Sequence, residues 1–171
     1  MKKLSICVVL LGLLLGAGSA FSDLGDPAFS AGRAEKAPEC VKDGVKYGIT
    51  KGSFRSEWWN YLERGTSYLE GACYEAALND LDRAIDLRRQ MVKNERDKKR
   101  ARTYGLHFVD YFAHREKGIA LYYLGRSEEA QAELEQSLDR VDTERARQYL
   151  ALVKEARKNF APNAEPKADL K

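Results

Sequence analysis

The chain has little of what an enzyme needs. It contains no glycine-rich phosphate loop and no metal-ligand signature, and it holds only two histidines and three cysteines. The one nucleophile–base pairing on offer is Cys40 or Cys73 with a histidine, and nothing in the spacing brings such a pair together. Neither catalysis nor a cofactor is therefore expected. His107, Asp110 and His114 fall at i, i+3 and i+7 of one expected helix. At 1.5 Å per residue the outer two would stand about 10.5 Å apart along the axis. One zinc ion bonded at about 2 Å is hard to satisfy that way. The plainer expectation is hydrogen bonding between helices, for example His114 or Asp110 with Arg115 or a tyrosine.

Long apolar runs are equally scarce. The run Leu4–Leu15 follows Lys2 and Lys3 and leads into the small residues Gly16, Ala17, Gly18, Ser19 and Ala20. Basic residues, a short apolar run and small residues in that order make a secretory signal, so residues 1–20 are expected to be removed, with cleavage after 20 or 22. The run is short for a membrane span, which needs about 20 residues, and an uncleaved anchor is the alternative. The expected location is outside the cytoplasm, in the periplasm or secreted from a bacterial envelope. Loss of residues 1–20 removes two lysines and no acid, lowering the formal charge from +3 to +1. The basic balance of the whole chain thus says little about partners. Cys7 leaves too, and Cys40 and Cys73 are then either one disulfide or a small turn residue and a free thiol.

Proline is confined to Pro27, Pro38, Pro162 and Pro166. Residues 21–52 lack sustained periodicity and read as a flexible leader, and residues 161–171 read as a disordered tail. Within the leader, Asp43-Gly44 between Val41 and Val45/Tyr47 is a type I′ turn signal over very short arms. It makes either a small hairpin or an irregular cap.

What the sequence does have is helical periodicity over residues 53–160, one ordinary domain for 171 residues. Ser53 and Ser56 are candidate caps for a helix at Trp58. Tyr61, Gly65 and Tyr68 share one face of that helix, and Ala77, Leu81 and Ala84 share one face of the next, with Gly71 and Cys73 between them. Trp58 and Trp59 are adjacent and cannot both enter the same core. From Arg88 to Arg102 there is no Gly or Pro, and eight bases stand against Glu95 and Asp97. A solvated helix extension or long loop is expected there. Thr103 then caps a helix from about Tyr104 to Leu124, apolar on more than one face. Gly125 ends it, Ser127 caps a helix with Ala130, Leu134 and Leu138 inward, and Thr143 opens a last helix with Ala146, Tyr149, Leu150, Val153, Ala156 and Phe160 inward.

The two helical hairpins match each other. Gly65 corresponds to Gly118, Tyr68 to Leu121, Ala77 to Ala130, Leu81 to Leu134 and Ala84 to Ser137. Large and small residues in this order resemble the tetratricopeptide repeat. Tyr61, Gly65, Tyr68, Tyr74, Ala77, Leu81 and Ala84 fit its pattern in the first unit, and Gly118, Gly125, Ala130 and Leu134 in the second. His114 stands where an aromatic is usual and Ser127 where Tyr is, and each unit lacks the closing Pro. The glycines are 53 residues apart, about 19 beyond the usual period of 34. The resemblance implies an all-α fold: antiparallel helical hairpins of a short solenoid, with a C-terminal capping helix. More loosely, FRSEWWNYLERG and RTYGLHFVDYFAHREKG are similar to tetratricopeptide segments beside bacterial caspase-like peptidase domains. No such domain fits in the rest of this chain, so at most an accessory role to a peptidase is implied.

In the repeat family the first helices of successive units line a concave groove. The resemblance places Trp59, Leu62, Thr66 and Leu69 there from the first unit, and Phe112, Arg115, Ile119 and Tyr122 from the second. An aromatic wall with one guanidinium suits an extended peptide or an apolar helix of a partner protein. The expected function is an exported adaptor or scaffold. The rival is an anion or membrane-surface binder using the basic helix Arg88–Arg102. Export argues against nucleic acid.

Overall fold

The computed structural model describes residues 37–160. The signal, the leader before residue 37 and the tail from residue 161 lie outside them. The described residues form five helices and two two-stranded antiparallel sheets. The fold is mostly helical, roughly as the all-α expectation has it, with two small sheets added to the helices.

The chain enters through a hairpin of β1 (Cys40–Lys42) and β2 (Val45–Tyr47), in which Lys42 pairs with Val45. Asp43 and Gly44 both take positive φ at its turn, as a type I′ turn requires. This hairpin is bound to the first helix pair, α1 (Trp58–Glu70) and α2 (Tyr74–Met91). The Tyr68 hydroxyl donates to the Pro38 carbonyl at 2.8 Å, and the Ser67 hydroxyl accepts the Gly48 N–H at 3.1 Å. A disulfide joins Cys40 on β1 to Cys73 in the turn between α1 and α2.

The second pair is α3 (Ala113–Tyr123) and α4 (Ser127–Leu138), followed by α5 (Glu144–Phe160). The two pairs share their closest helix–helix contact. A Cβ on Gly65 would lie 3.0 Å from Leu81 Cγ and 3.3 Å from the Ala77 carbonyl. A Cβ on Gly118 would lie 2.7 Å from Leu134 Cγ and 3.1 Å from the Ala130 carbonyl. Each glycine lets a partner helix approach where a side chain would hold it off. The turns repeat as well. The Cys73 N–H reaches the Tyr68 carbonyl and the Arg126 N–H the Leu121 carbonyl, each five residues back, the 6→1 bond of a Schellman motif. The core runs through both pairs and into α5, with Leu81, Ala84, Ile119, Leu121, Leu134, Ala146 and Val153 fully or almost fully buried.

Between the pairs the chain departs from expectation. The helix ends at Met91, and the basic run continues as β3 (Lys98–Arg102), paired with β4 (Phe108–Tyr111). No helix starts at Tyr104: residues 103–107 form the loop of this second hairpin, and α3 begins at Ala113. A helix would have stacked Arg96 on Arg100 and Lys98 on Arg102 at i, i+4, two like-charge pairs that each cost stability. The hairpin instead turns Ala101 and Tyr111 inward and the bases outward. Thr103 accordingly caps no helix; its N–H donates to the His107 carbonyl across the loop. His107 lies in the loop, Asp110 on β4 and His114 on α3, so they share no helix face, and no metal-holding group occurs among the described residues. Glu57, not Ser53 or Ser56, stands at the start of α1, and Ser127 lies inside α4 rather than capping it. Thr143 does accept the Ala146 N–H at the start of α5.

Candidate functional site

The adjacent tryptophans at the start of α1 differ in burial. Trp58 is 1% exposed and meets the Tyr111 ring edge-on at 5.3 Å. The Arg88 guanidinium lies 4.5 Å from the Trp58 ring centre and 4.6 Å from that of Tyr111. Burial lowers the Arg88 pKa, and the two ring faces take the place of part of its lost hydration. The Trp59 ring meets that of Trp58 edge-on at 5.5 Å. It stays half-buried and, with Leu62 and Thr66 one and two turns on, lines an open groove of about 590 Å³. The facing walls are Ile49–Lys51 on one side and Val109 and Asp110 of β4 on the other, with Glu63 and Glu70 on the rim. This volume is ordinary for a binding cleft, about 300–1,000 Å³.

The other residues assigned to a groove by resemblance lie elsewhere. Leu69 is buried against the core, and Ile119 is fully buried and offers no surface. Phe112 is covered by the Arg115 guanidinium, 4.0 Å above its ring. Arg115 in turn pairs with Glu116, whose other oxygen accepts from Arg145 of α5 at 3.1 Å. Tyr122 packs among Tyr123 and Tyr149 and lines a separate cleft between the α3–α4 turn and α5. Of the eight residues, the structure brings Trp59, Leu62 and Thr66 together. Ile49, Lys51, Val109 and Asp110 complete the groove and were not anticipated. The aromatic and β-branched content of Phe108–Tyr111 is the sequence signal that points to a strand there.

A buried polar cluster fixes the second hairpin beside the groove. His114, 2% exposed, lies between Glu95 Oε2 at 2.9 Å from Nε2 and Glu133 Oε2 at 2.5 Å from Nδ1. Burial alone would lower its pKa, but the bonds to Glu133 and Glu95 outweigh that and hold it up at about 9. At neutral pH the ring is therefore a cation donating from both nitrogens. Burial alone would raise both carboxyls, but the bonds from His114, with those from Tyr111 to Glu95 and Lys117 to Glu133, hold them below their ordinary range. Lys117 extends the cluster to Asp82 on α2 at 2.7 Å. Asp97, also buried, accepts the His114 and Arg115 N–H groups at 3.1 Å each. It thus caps α3 from 16 residues upstream of Ala113, which seals the hairpin to the helix it precedes. His114 does bond between helices, through Glu133 of α4.

The same inward turn of Glu95 and Asp97 leaves a one-signed surface outside. Lys93, Arg96, Lys98, Lys99, Arg100 and Arg102 are all exposed, and residues 92–107 expose no acid. No protein-family model matches the chain, and no curated protein matches it.

Proposed function

We propose that the chain is an exported, tetratricopeptide-like adaptor whose groove on α1 holds a peptide or helix of another envelope protein. The observation that carries this reading is the open groove at Trp59, Leu62 and Thr66. An aromatic ring kept half-exposed beside a fully buried neighbour supplies rigid contact area at low entropic cost. Its lining mixes Lys51 with Glu63, Glu70 and Asp110, which suits a partner with an apolar stripe and polar flanks. The repeat reading is supported by the two helix pairs, in which Gly65, Ala77 and Leu81 meet as Gly118, Ala130 and Leu134 do. The β3–β4 hairpin is then an insertion between repeats, and α5 a cap. Export is supported by the signal-like order of residues 1–20 and by the Cys40–Cys73 disulfide, since disulfides persist in oxidising compartments.

Affinity capture from envelope extract tests the reading, with Trp59→Ala and Thr66→Arg beside the wild type. Both variants change groove-lining surface, and because the Trp59 ring also packs against the core, each is first checked for native helix content. A partner recovered with the wild type and lost with both supports the groove. Equal recovery of every partner by correctly folded variants refutes it.

A further inference from the structure

We propose that the β3–β4 hairpin is a lipid-docking element whose apolar tip enters an anionic bilayer surface while its cations engage the headgroup phosphates. This goes beyond the adaptor reading and does not depend on it. The tip is Thr103–His107. Leu106 there is 85% exposed, the highest among the exposed large apolar side chains of the described residues. Tyr104 and Phe108 flank it, both also exposed. The loop is held in shape. The His107 N–H donates to the Tyr104 carbonyl at 2.8 Å, Arg102 Nε donates to the Gly105 carbonyl at 2.6 Å, and the Tyr104 ring stacks on His107 and leans on Trp59. A rigid apolar tip costs less entropy to insert than a loop that must first be ordered.

Charge completes the match. Lys98, Lys99, Arg100 and Arg102 stand on β3, below the tip, and Lys93 and Arg96 precede them. None of the six forms an ion pair among the described residues, although Asp110 accepts the Arg100 backbone N–H. The two acids of the segment, Glu95 and Asp97, are spent inside on His114, Tyr111 and the start of α3. Cations behind an apolar, aromatic-flanked tip match the order of a membrane surface, with acyl chains deepest, an interface that favours tyrosine, and phosphates outside. A protein partner for this hairpin would need a pocket for Leu106 ringed by acids, whereas a fluid bilayer accepts a projecting side chain without one. No described helix is long and apolar enough to cross a membrane, so the contact is peripheral.

The test uses the full chain with Leu106→Trp, which places a reporter at the tip without touching the core. The wild type, with Trp58 and Trp59, sets the baseline. The expected result is a blue shift and quenching by brominated acyl chains in vesicles containing phosphatidylglycerol, but not in pure phosphatidylcholine. Each cation near an anionic surface is worth about 1 kcal/mol, so Lys98→Gln with Lys99→Gln should weaken partitioning about 30-fold. High salt should weaken it too. Quenching no greater than the wild-type baseline overturns the proposal, as does equal quenching in zwitterionic vesicles. Tight binding to poly-glutamate with an unquenched tip overturns it in favour of an acidic protein.

Discussion

Replacing His114 with glutamine tests the logic of the buried cluster most sharply, because the effect should depend on pH in a defined way. An unfolded histidine titrates near 6.5, whereas His114 is held up at about 9 by Glu133 and Glu95. A raised folded pKa means stability that is fully present below pH 6.5 and is lost as pH rises through 9. The window between these values corresponds to about 3 kcal/mol at 1.36 kcal/mol per unit. The wild type should therefore lose about 3 kcal/mol of unfolding free energy between pH 6 and pH 9.5 from this group alone. His114→Gln keeps a polar side chain of similar reach but no charge. It leaves Glu95 and Glu133 buried without their shared cation, which should cost roughly 3–5 kcal/mol at pH 6. The variant's stability should then be nearly flat from pH 6 to 9.5, so that the two curves converge at high pH. Urea unfolding followed by far-ultraviolet circular dichroism at four pH values measures both. Parallel curves for wild type and variant would refute the reasoning, since they would mean that His114 gains no proton on folding.

Three further outcomes follow from the packing. Reducing the Cys40–Cys73 disulfide, which spans 33 residues, should cost about 3–4 kcal/mol on the chain-entropy relation; a urea midpoint unchanged by reductant would contradict this. Gly118→Ala should destabilise by about 1–3 kcal/mol despite its better helix propensity, because the new methyl would sit 2.7 Å from Leu134 Cγ and 3.1 Å from a backbone carbonyl. Gly65→Ala, with its closest contact at 3.0 Å, should cost less, and thermal melts of the two variants decide the order. Asp97→Ala should cost about 1–2 kcal/mol by removing both acceptors at the start of α3, and Asp97→Asn should cost less because one carbonyl remains; equal melts for Asp97→Ala and wild type would show that α3 needs no cap from Asp97.

The helical pairs were legible because their evidence is local. Gly65 and Ala77 sit at fixed helical spacing, the same spacing recurs at Gly118 and Ala130, and close backbone approach leaves small residues whatever surrounds it. The second hairpin was not legible, because its evidence is distant. Lys98–Arg102 consists of good helix formers, and what makes it a strand is pairing with Phe108–Tyr111 together with the burial of Tyr111 against Trp58 and Arg88. Propensity lost to tertiary contact there. The groove was half legible for the same reason. Trp59, Leu62 and Thr66 follow from helix phase on α1, but the wall opposite belongs to the unexpected strand. Ile119 shows the reverse error, where correct helix phase met a neighbour that covers it. Asp97 carried no local signal at all, since a cap normally lies next to its helix and this one arrives from the far end of a hairpin.

The central claim is that a partner protein occupies the groove on α1. Photo-crosslinking in the native envelope tests it directly, with a benzophenone side chain at Thr66 inside the groove and, as the control, at exposed Asn79 on α2. The account predicts a discrete covalent adduct with one partner from position 66, absent from position 79 and abolished when Trp59→Ala is added. Adducts of the same pattern from both positions, or an adduct at position 66 that survives Trp59→Ala, would contradict it.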